Sequence, residues 1–253
     1  MDFHRRRFIG LTAAGIAATT VAKFSTVKAA AKNDIEAIAF DGFPILDPRP
    51  VVALASELYG PNGKAFFMLF RSRLFQYQWL RALGGQYQDF YTLINDAHLF
   101  AVSQMGLQTS DEKIDKFQSA FLQLRAWPDV KKTLQSLKAR GIKLAFLSNM
   151  TTNMLNAGIE NSGLDGLFDF VLSTDEIKTY KPDPIAYQLG VDAFNLPKQK
   201  IAFAAFASWD ASGAKWFGYP TIWINRLNAK PERLGTKPDA TSKDLAGLIK
   251  FVT

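Results

Sequence analysis

Residues 35–43 read Ile35-Glu-Ala-Ile-Ala-Phe-Asp41-Gly-Phe43. A short apolar run of this kind is a buried strand, and it ends in an aspartate. Open α/β sheets keep their chemistry at the carboxyl ends of their strands, so Asp41 is placed to react. The residue two positions later decides which chemistry is open to it. A second carboxylate at 43 would suggest a magnesium site of hard oxygen ligands. Phe43 offers no ligand, so the stretch reads as a lone carboxylate nucleophile working without a metal.

Further short apolar runs follow at 143–147, 168–172, 201–206 and 221–225, each succeeded by polar or turn residues. Helical patterns lie between them, at 130–140, at 152–161 before the stop Asn161-Ser-Gly163, at 184–194, and at 212–216 before Gly218-Tyr-Pro220. Strands alternating with helices of this length predict an α/β fold with a Rossmann-like, doubly wound parallel sheet. About a hundred residues separate the first strand from the second. Residues 51–124 there are helical in pattern and rich in aromatics, with breaks at Gly84-Gly85 and around Gly106 to Ser110. They predict a helical cap inserted into a core formed by 32–50 and 125–253. The polar, proline-containing stretch 229–237 reads as a loop.

The 253 residues carry a net charge of +7, of which +4 lies in residues 1–31. The remaining +3 makes no case for nucleic acid, and no basic run interleaved with aromatics follows residue 32. Residues 1–31 have the order of an export signal. Arg5-Arg6-Arg7-Phe8-Ile9 resembles the twin-arginine motif, and an apolar run follows to Val21 that is too short and weak to span a membrane stably. Ala29-Ala30-Ala31 offers a cleavage site. The expectation is a periplasmic protein exported by the twin-arginine route. The absence of cysteine excludes a disulfide framework and a catalytic thiol. After processing, His98 is the only histidine, and it sits in an apolar helical run as a buried helix residue.

Four motifs end or follow strands: Asp41, then Ser148-Asn149, then Thr179-Tyr180-Lys181-Pro182-Asp183, then Ser208-Trp209-Asp210. In a parallel sheet they share one edge and converge in one crevice. In their order and spacing they resemble the haloacid dehalogenase (HAD) superfamily, and within it the L-2-haloacid dehalogenases. The segment Arg71-Ser-Arg-Leu-Phe-Gln-Tyr77-Gln-Trp79-Leu-Arg81 is similar to that family's substrate helix, and Gln86-Tyr87-Gln-Asp89-Phe90 extends the match.

The resemblance implies a hydrolase that converts short 2-haloalkanoic acids to 2-hydroxy acids, with no metal and no cofactor. It implies that Asp41 displaces the halide to form an ester, which water then hydrolyses. It implies that Lys181 holds Asp41 anionic, since a cation within ~4–6 Å favours a carboxylate's charged form. Asp210 would stand beside the lysine and the water, and would serve also as the N-cap of the next helix. Arg71 and Asn149 would hold the halide, and Ser148 the substrate carboxylate. Tyr187 would lie near the site, with Phe43 and Trp209 as its apolar walls. It further implies a homodimer through the cap.

Three positions depart from the family pattern. The usual threonine four residues after the nucleophile is Ile45, and a serine and an asparagine of the fourth motif are Ala205 and Ala207. These departures bear on hydrolysis of the ester, the step those polar groups support. They keep a second reading open, a slow or inactive relative that binds small acids. A magnesium-dependent phosphatase on the same fold is a third, against which Phe43 argues.

Overall fold

The computed structural model describes residues 34–252. Residues 1–31, to which the export signal is assigned, lie outside the described residues.

Six strands form one sheet: β1 (Ala37–Phe40), β2 (Lys143–Ser148), β3 (Phe170–Ser173), β4 (Ile201–Ala205), β5 (Thr221–Ile224) and β6 (Ala240–Ser242). Their order is β3-β2-β1-β4-β5-β6, and every neighbouring pair is parallel. The chain steps from β1 outward to β2 and β3, then crosses back to the other side of β1 for β4. That reversal opens a crevice at the carboxyl end of β1. Asp41 is the first residue past the strand there, and its N–H donates to Ala204 O at 3.0 Å.

The inner strands β1, β2, β4 and β5 are buried on both faces, which is why they read as apolar runs. Ile38 and Phe40 enter one core with Phe146 and Ala204. Ala37 and Ala39 enter the other with Leu147 and Phe203.

Six helices separate β1 from β2: α1 (Gly42–Ile45), α2 (Arg49–Tyr59), α3 (Gly63–Leu83), α4 (Phe90–Met105), α5 (Asp111–Ser119) and α6 (Val130–Lys138). The expected breaks fall where glycine and capping chemistry put them. Gly84-Gly85 follows α3, Gly106 closes α4 at φ 62°, and Ser110 caps α5 by accepting from Lys113 N. Phe66, Phe70, Phe90 and Phe117 build the interior between α2 and α5. His98 lies among them. Its Nε2 meets Tyr59 Oη at 2.6 Å, and burial lowers its pKa to about 4, which keeps the ring neutral.

The remaining helices are α7 (Thr152–Ser162), α8 (Pro184–Phe194), α9 (Ser208–Phe217) and α10 (Ala246–Phe251). Small residues let α8 and α9 approach closely. A Cβ on Gly213 would stand 2.4 Å from Tyr187 Oη, and one on Gly190 2.6 Å from Tyr219 Oη.

Several boundaries differ from the sequence reading. β3 starts at Phe170 instead of 168, because Phe168 stacks on Phe146 with ring centroids 4.2 Å apart. β6 and α10 were not anticipated; three residues without alternation carry no strand signal. Most consequential, α9 starts at Ser208, four residues earlier than expected. Ala207 holds the N-cap position and makes no side-chain cap bond. Asp210 is therefore a first-turn residue and does not cap the helix.

Candidate active site

The nucleophile loop is held by its main chain. Asp41 Oδ2 accepts from Phe43 N at 3.3 Å, a local bond that turns the carboxylate over the start of α1. Elements elsewhere in the chain satisfy the loop's carbonyls. Phe43 O accepts from Trp127 Nε1 at 3.0 Å, and Pro44 O from Arg226 Nε and Nη2 at 3.0 and 2.8 Å. Arg226 reaches on to Asp129 and lies over the Trp127 ring. Ile45 is fully buried in the core. The backbone N–H of Phe43 and the Lys181 ammonium thus orient the carboxylate without a hydroxyl at 45.

Three charges meet behind the loop. Lys181 Nζ donates to Asp41 Oδ1 at 2.8 Å and to Asp210 Oδ2 at 2.7 Å, and Tyr187 Oη donates to Asp210 Oδ1 at 2.7 Å. The side chains of Lys181 and Asp210 are each 1% exposed, while that of Asp41 is 13% exposed. Of the three, Asp41 is the group an incoming molecule can reach. The ammonium's remaining neighbour is the Phe203 ring, 5.1 Å from Nζ. Ala205, at the end of β4, and Ala207, at the N-cap of α9, bring no side-chain polar group.

One cation between two carboxylates leaves one excess negative charge, and burial decides who bears it. Burial alone would lower the Lys181 pKa, but Asp210 and Asp41 outweigh it and hold it above its ordinary value. Burial pushes Asp210 up to about 6, with Asp41 adding to the rise and Lys181 and Tyr187 opposing it. Burial first, then Asp210, hold the Tyr187 hydroxyl well above its ordinary pKa, so it stays a donor.

The other expected residues fall in three places. Ser148 is buried at the end of β2, its Oγ accepting from Met150 N at 3.2 Å, and a Cβ on Gly42 would lie 3.0 Å from that oxygen. Asn149 is buried next to it, accepting from Lys181 N at 2.9 Å and donating to Gln78 Oε1 at 2.9 Å. Phe43 pairs with Phe206, and Trp209 packs on Phe75 and Trp79 of α3, which forms an apolar wall. Arg71 is exposed, one turn before Phe75, and has no hydrogen bond or ion pair among the described residues. Tyr187, expected with the substrate-binding residues, is fully buried behind Asp210.

Four residues escaped the sequence reading. Trp127 and Arg226 hold the nucleophile loop. From α3, Trp79 Nε1 donates to Lys181 O at 3.1 Å, and Gln78 accepts from Asn149, which itself accepts from Lys181 N. Gln78 carried a signal: it is a polar residue on the buried stripe Phe70, Leu74, Gln78.

A family model described as haloacid dehalogenase-like hydrolase matches residues 12–218. The chain belongs to that family. Haloacetate dehalogenase H-2 of Moraxella sp. (strain B) is 36% identical over 219 residues, covering 86% of this chain and 98% of that one. A (S)-2-haloacid dehalogenase of Pseudomonas sp. (strain YL) is 35% identical over 218 residues, covering 86% and 94%. A crystal structure of an L-2-haloacid dehalogenase matches with a TM-score of 0.84 at 35% identity, over 87% of this chain and 99% of that one. A structure of the Xanthobacter autotrophicus L-2-haloacid dehalogenase with chloropropionic acid covalently bound matches at 0.79 and 26% identity, over 86% and 98%.

For this haloacid dehalogenase-like hydrolase the buried triad sets a pH expectation. Turnover that depends on Asp210 ionised against Lys181 is expected to fall as pH drops through about 6. Tyr187 favours the ionised form by its hydrogen bond. Tyr187→Phe is expected to raise the Asp210 pKa and move the acid limb of the kcat profile to higher pH. An unmoved limb would show that Asp210 does not govern it.

Proposed function

We propose that the protein hydrolyses short-chain 2-haloalkanoic acids to 2-hydroxy acids, with Asp41 as nucleophile and without a metal. The observation that carries this reading is the Asp41 carboxylate, partly open to the crevice and bound to a buried ammonium. The names of the relatives support carbon–halide bonds as the target and the (S) substrate as the preferred enantiomer. In the first step an Asp41 oxygen forms a bond to the carbon bearing the halogen, and the halide leaves with the bonding pair. In the second, water attacks the ester carbonyl, regenerating the carboxylate and releasing the hydroxy acid. Lys181 stabilises the Asp41 carboxylate before the first step and the charge that returns to it in the second. Asp210, buried behind the lysine, takes up the proton that water loses by way of the Lys181 ammonium that bridges it to Asp41. Ser148 receives the substrate carboxylate, Arg71 and Asn149 receive the halide, and Phe43 and Trp209 exclude water. The covalently bound neighbour supports the ester.

Ala205 and Ala207 favour one competing reading, a small-acid binding protein whose ester step is slow or absent. Halide release from chloroacetate and from each enantiomer of 2-chloropropionate, measured with a chelator present, separates the two. Sustained release is expected. A single stoichiometric burst would place the defect in hydrolysis, and dependence on added magnesium would overturn the metal-free mechanism.

The proposal includes export. Replacing Arg5, Arg6 and Arg7 with lysine is expected to leave the protein in the cytoplasm, as read by cell fractionation. A homodimer would cover Leu80, Leu83 and Leu99, which are exposed on α3 and α4. Sedimentation at varied concentration tests it.

A further inference from the structure

We infer that the Gln78 side-chain amide is a donor to the departing halide, an assignment that rests on the dehalogenase reading above. Gln78 is fully buried on α3, on the same stripe as Phe70 and Leu74. A backbone N–H can only donate, so the bond from Lys181 N fixes Asn149 Oδ1 as an acceptor. Asn149 Nδ2 must then be the donor to Gln78, and the Gln78 atom facing it must be Oε1. The orientation of both amides follows. It leaves Gln78 Nε2, with two N–H groups, buried and without an acceptor among the described residues.

A buried donor without a partner is costly, and an apolar side chain there would avoid the cost. Two other buried atoms lack partners, Arg73 Nε and His98 Nδ1. Their residues pack on rings, Arg73 over Phe100 and His98 against Phe66 and Phe117. Gln78 alone of the three is hydrogen-bonded to a residue that holds Lys181. Its amide lies two hydrogen bonds from the main chain of the residue whose Nζ touches Asp41.

An acceptor that arrives with the reaction would satisfy this donor. When the Asp41 oxygen bonds to carbon and the carbon–halogen bond breaks, the electron pair leaves on an anion that has no hydrogen and can only accept. Lys181 already donates to two carboxylates and Arg226 to Pro44 O and Asp129, which leaves the exposed Arg71 and the buried Gln78 Nε2 as donors for it. Gln78 Nε2 is unspent, and an N–H to a developing anion is a charge-assisted bond.

The test uses the whole chain and two variants. Gln78→Met keeps the length and removes the donor. Gln78→Glu keeps an acceptor toward Asn149 and sets a carboxylate oxygen in place of Nε2. Both are compared with the parent on chloroacetate and bromoacetate. Chloride affinity is read separately, without substrate, from quenching of the nearby Trp79 and Trp209 fluorescence. Chloride is the stronger hydrogen-bond acceptor and the poorer leaving group. Gln78→Met is expected to lose about 10-fold or more in the rate of the first-turnover halide burst on chloroacetate, the step that precedes ester hydrolysis, as for a bond to a charged group. It is expected to lose clearly less on bromoacetate and to bind chloride more weakly, with Gln78→Glu weaker still. Equal losses on both substrates with unchanged chloride affinity would overturn the inference, leaving Gln78 as support for Asn149. Weakened inhibition by acetate with unchanged chloride affinity would overturn it too, assigning the amide to the substrate carboxylate. If the parent binds chloride yet releases no halide from any substrate, the dehalogenase reading fails and the chloride titration still decides the donor.

Discussion

Asp41→Asn is expected to abolish sustained halide release, a loss of roughly 10⁴-fold or more, the scale seen when a covalent nucleophile is removed. The substitution keeps the side chain's shape and an oxygen that can accept from Lys181, so the fold should survive. What it removes is the charged oxygen that forms the bond to carbon. The same site makes a second expectation about the parent. A single turnover in water labelled with heavy oxygen should place the label in the Asp41 carboxylate, because water attacks the ester's carbonyl carbon and not the substrate carbon. Label appearing directly in the hydroxy acid in that first turnover would make Asp41 a general base and sink the covalent route. Ala205 and Ala207 sharpen this test. With alanine at both positions hydrolysis is expected to be the slow step, and the ester on Asp41 should accumulate enough to be seen by mass spectrometry of rapidly quenched protein.

The parts of this site visible in the sequence were those tied to strand ends. Asp41, Ser148, Asn149 and Lys181 each follow an apolar run, and parallel topology alone brings them to one edge. Sequence could not show which contacts cross between separate elements. The bonds from Trp127 and Arg226 to the nucleophile loop join residues more than eighty positions apart. They hold the loop's carbonyls and leave the carboxylate to Phe43 N and Lys181. Asp210 was expected beside the lysine, where it lies, but as a helix cap, which it is not. Ser208-Trp209-Asp210 resembles a strand-end turn because Ser and Asp favour caps, yet Ala207 takes the cap and the helix runs through all three. Tyr187 was read as facing the substrate. Its spacing on α8 fits either side, and packing against Gly213 settles it behind Asp210. The helical insertion was legible from its aromatics and glycine breaks. The sixth strand was not, since three residues are too few for a period.

Lys181→Met should separate the lysine's two roles. At neutral pH it removes the ammonium from between Asp41 and Asp210 and leaves a fully buried carboxylate with Tyr187 as its remaining side-chain donor. Breaking a buried pair from one side costs about 3–5 kcal/mol, so the thermal midpoint should fall sharply. Asp210 already sits at about 6 with the lysine present, and the lysine pulls that value down. Without it the folded-state pKa rises further above the unfolded one. The variant's stability is then retained at low pH, where the folded state holds Asp210 neutral, and is lost as pH rises through that raised pKa. The midpoint deficit against the parent should be small at mildly acidic pH and large at mildly alkaline pH. An equal deficit at both would assign the loss to packing of the lysine stem instead of charge. Adding Asp210→Asn to Lys181→Met removes the stranded carboxylate, so the double variant should recover stability at alkaline pH. It should not recover turnover, because the Asp41 carboxylate would still lack the cation that orients it and stabilises the charge it regains when the ester breaks. Recovered folding with activity still down by roughly 10²–10³-fold would show that the ammonium acts on the reaction itself, beyond neutralising buried charge.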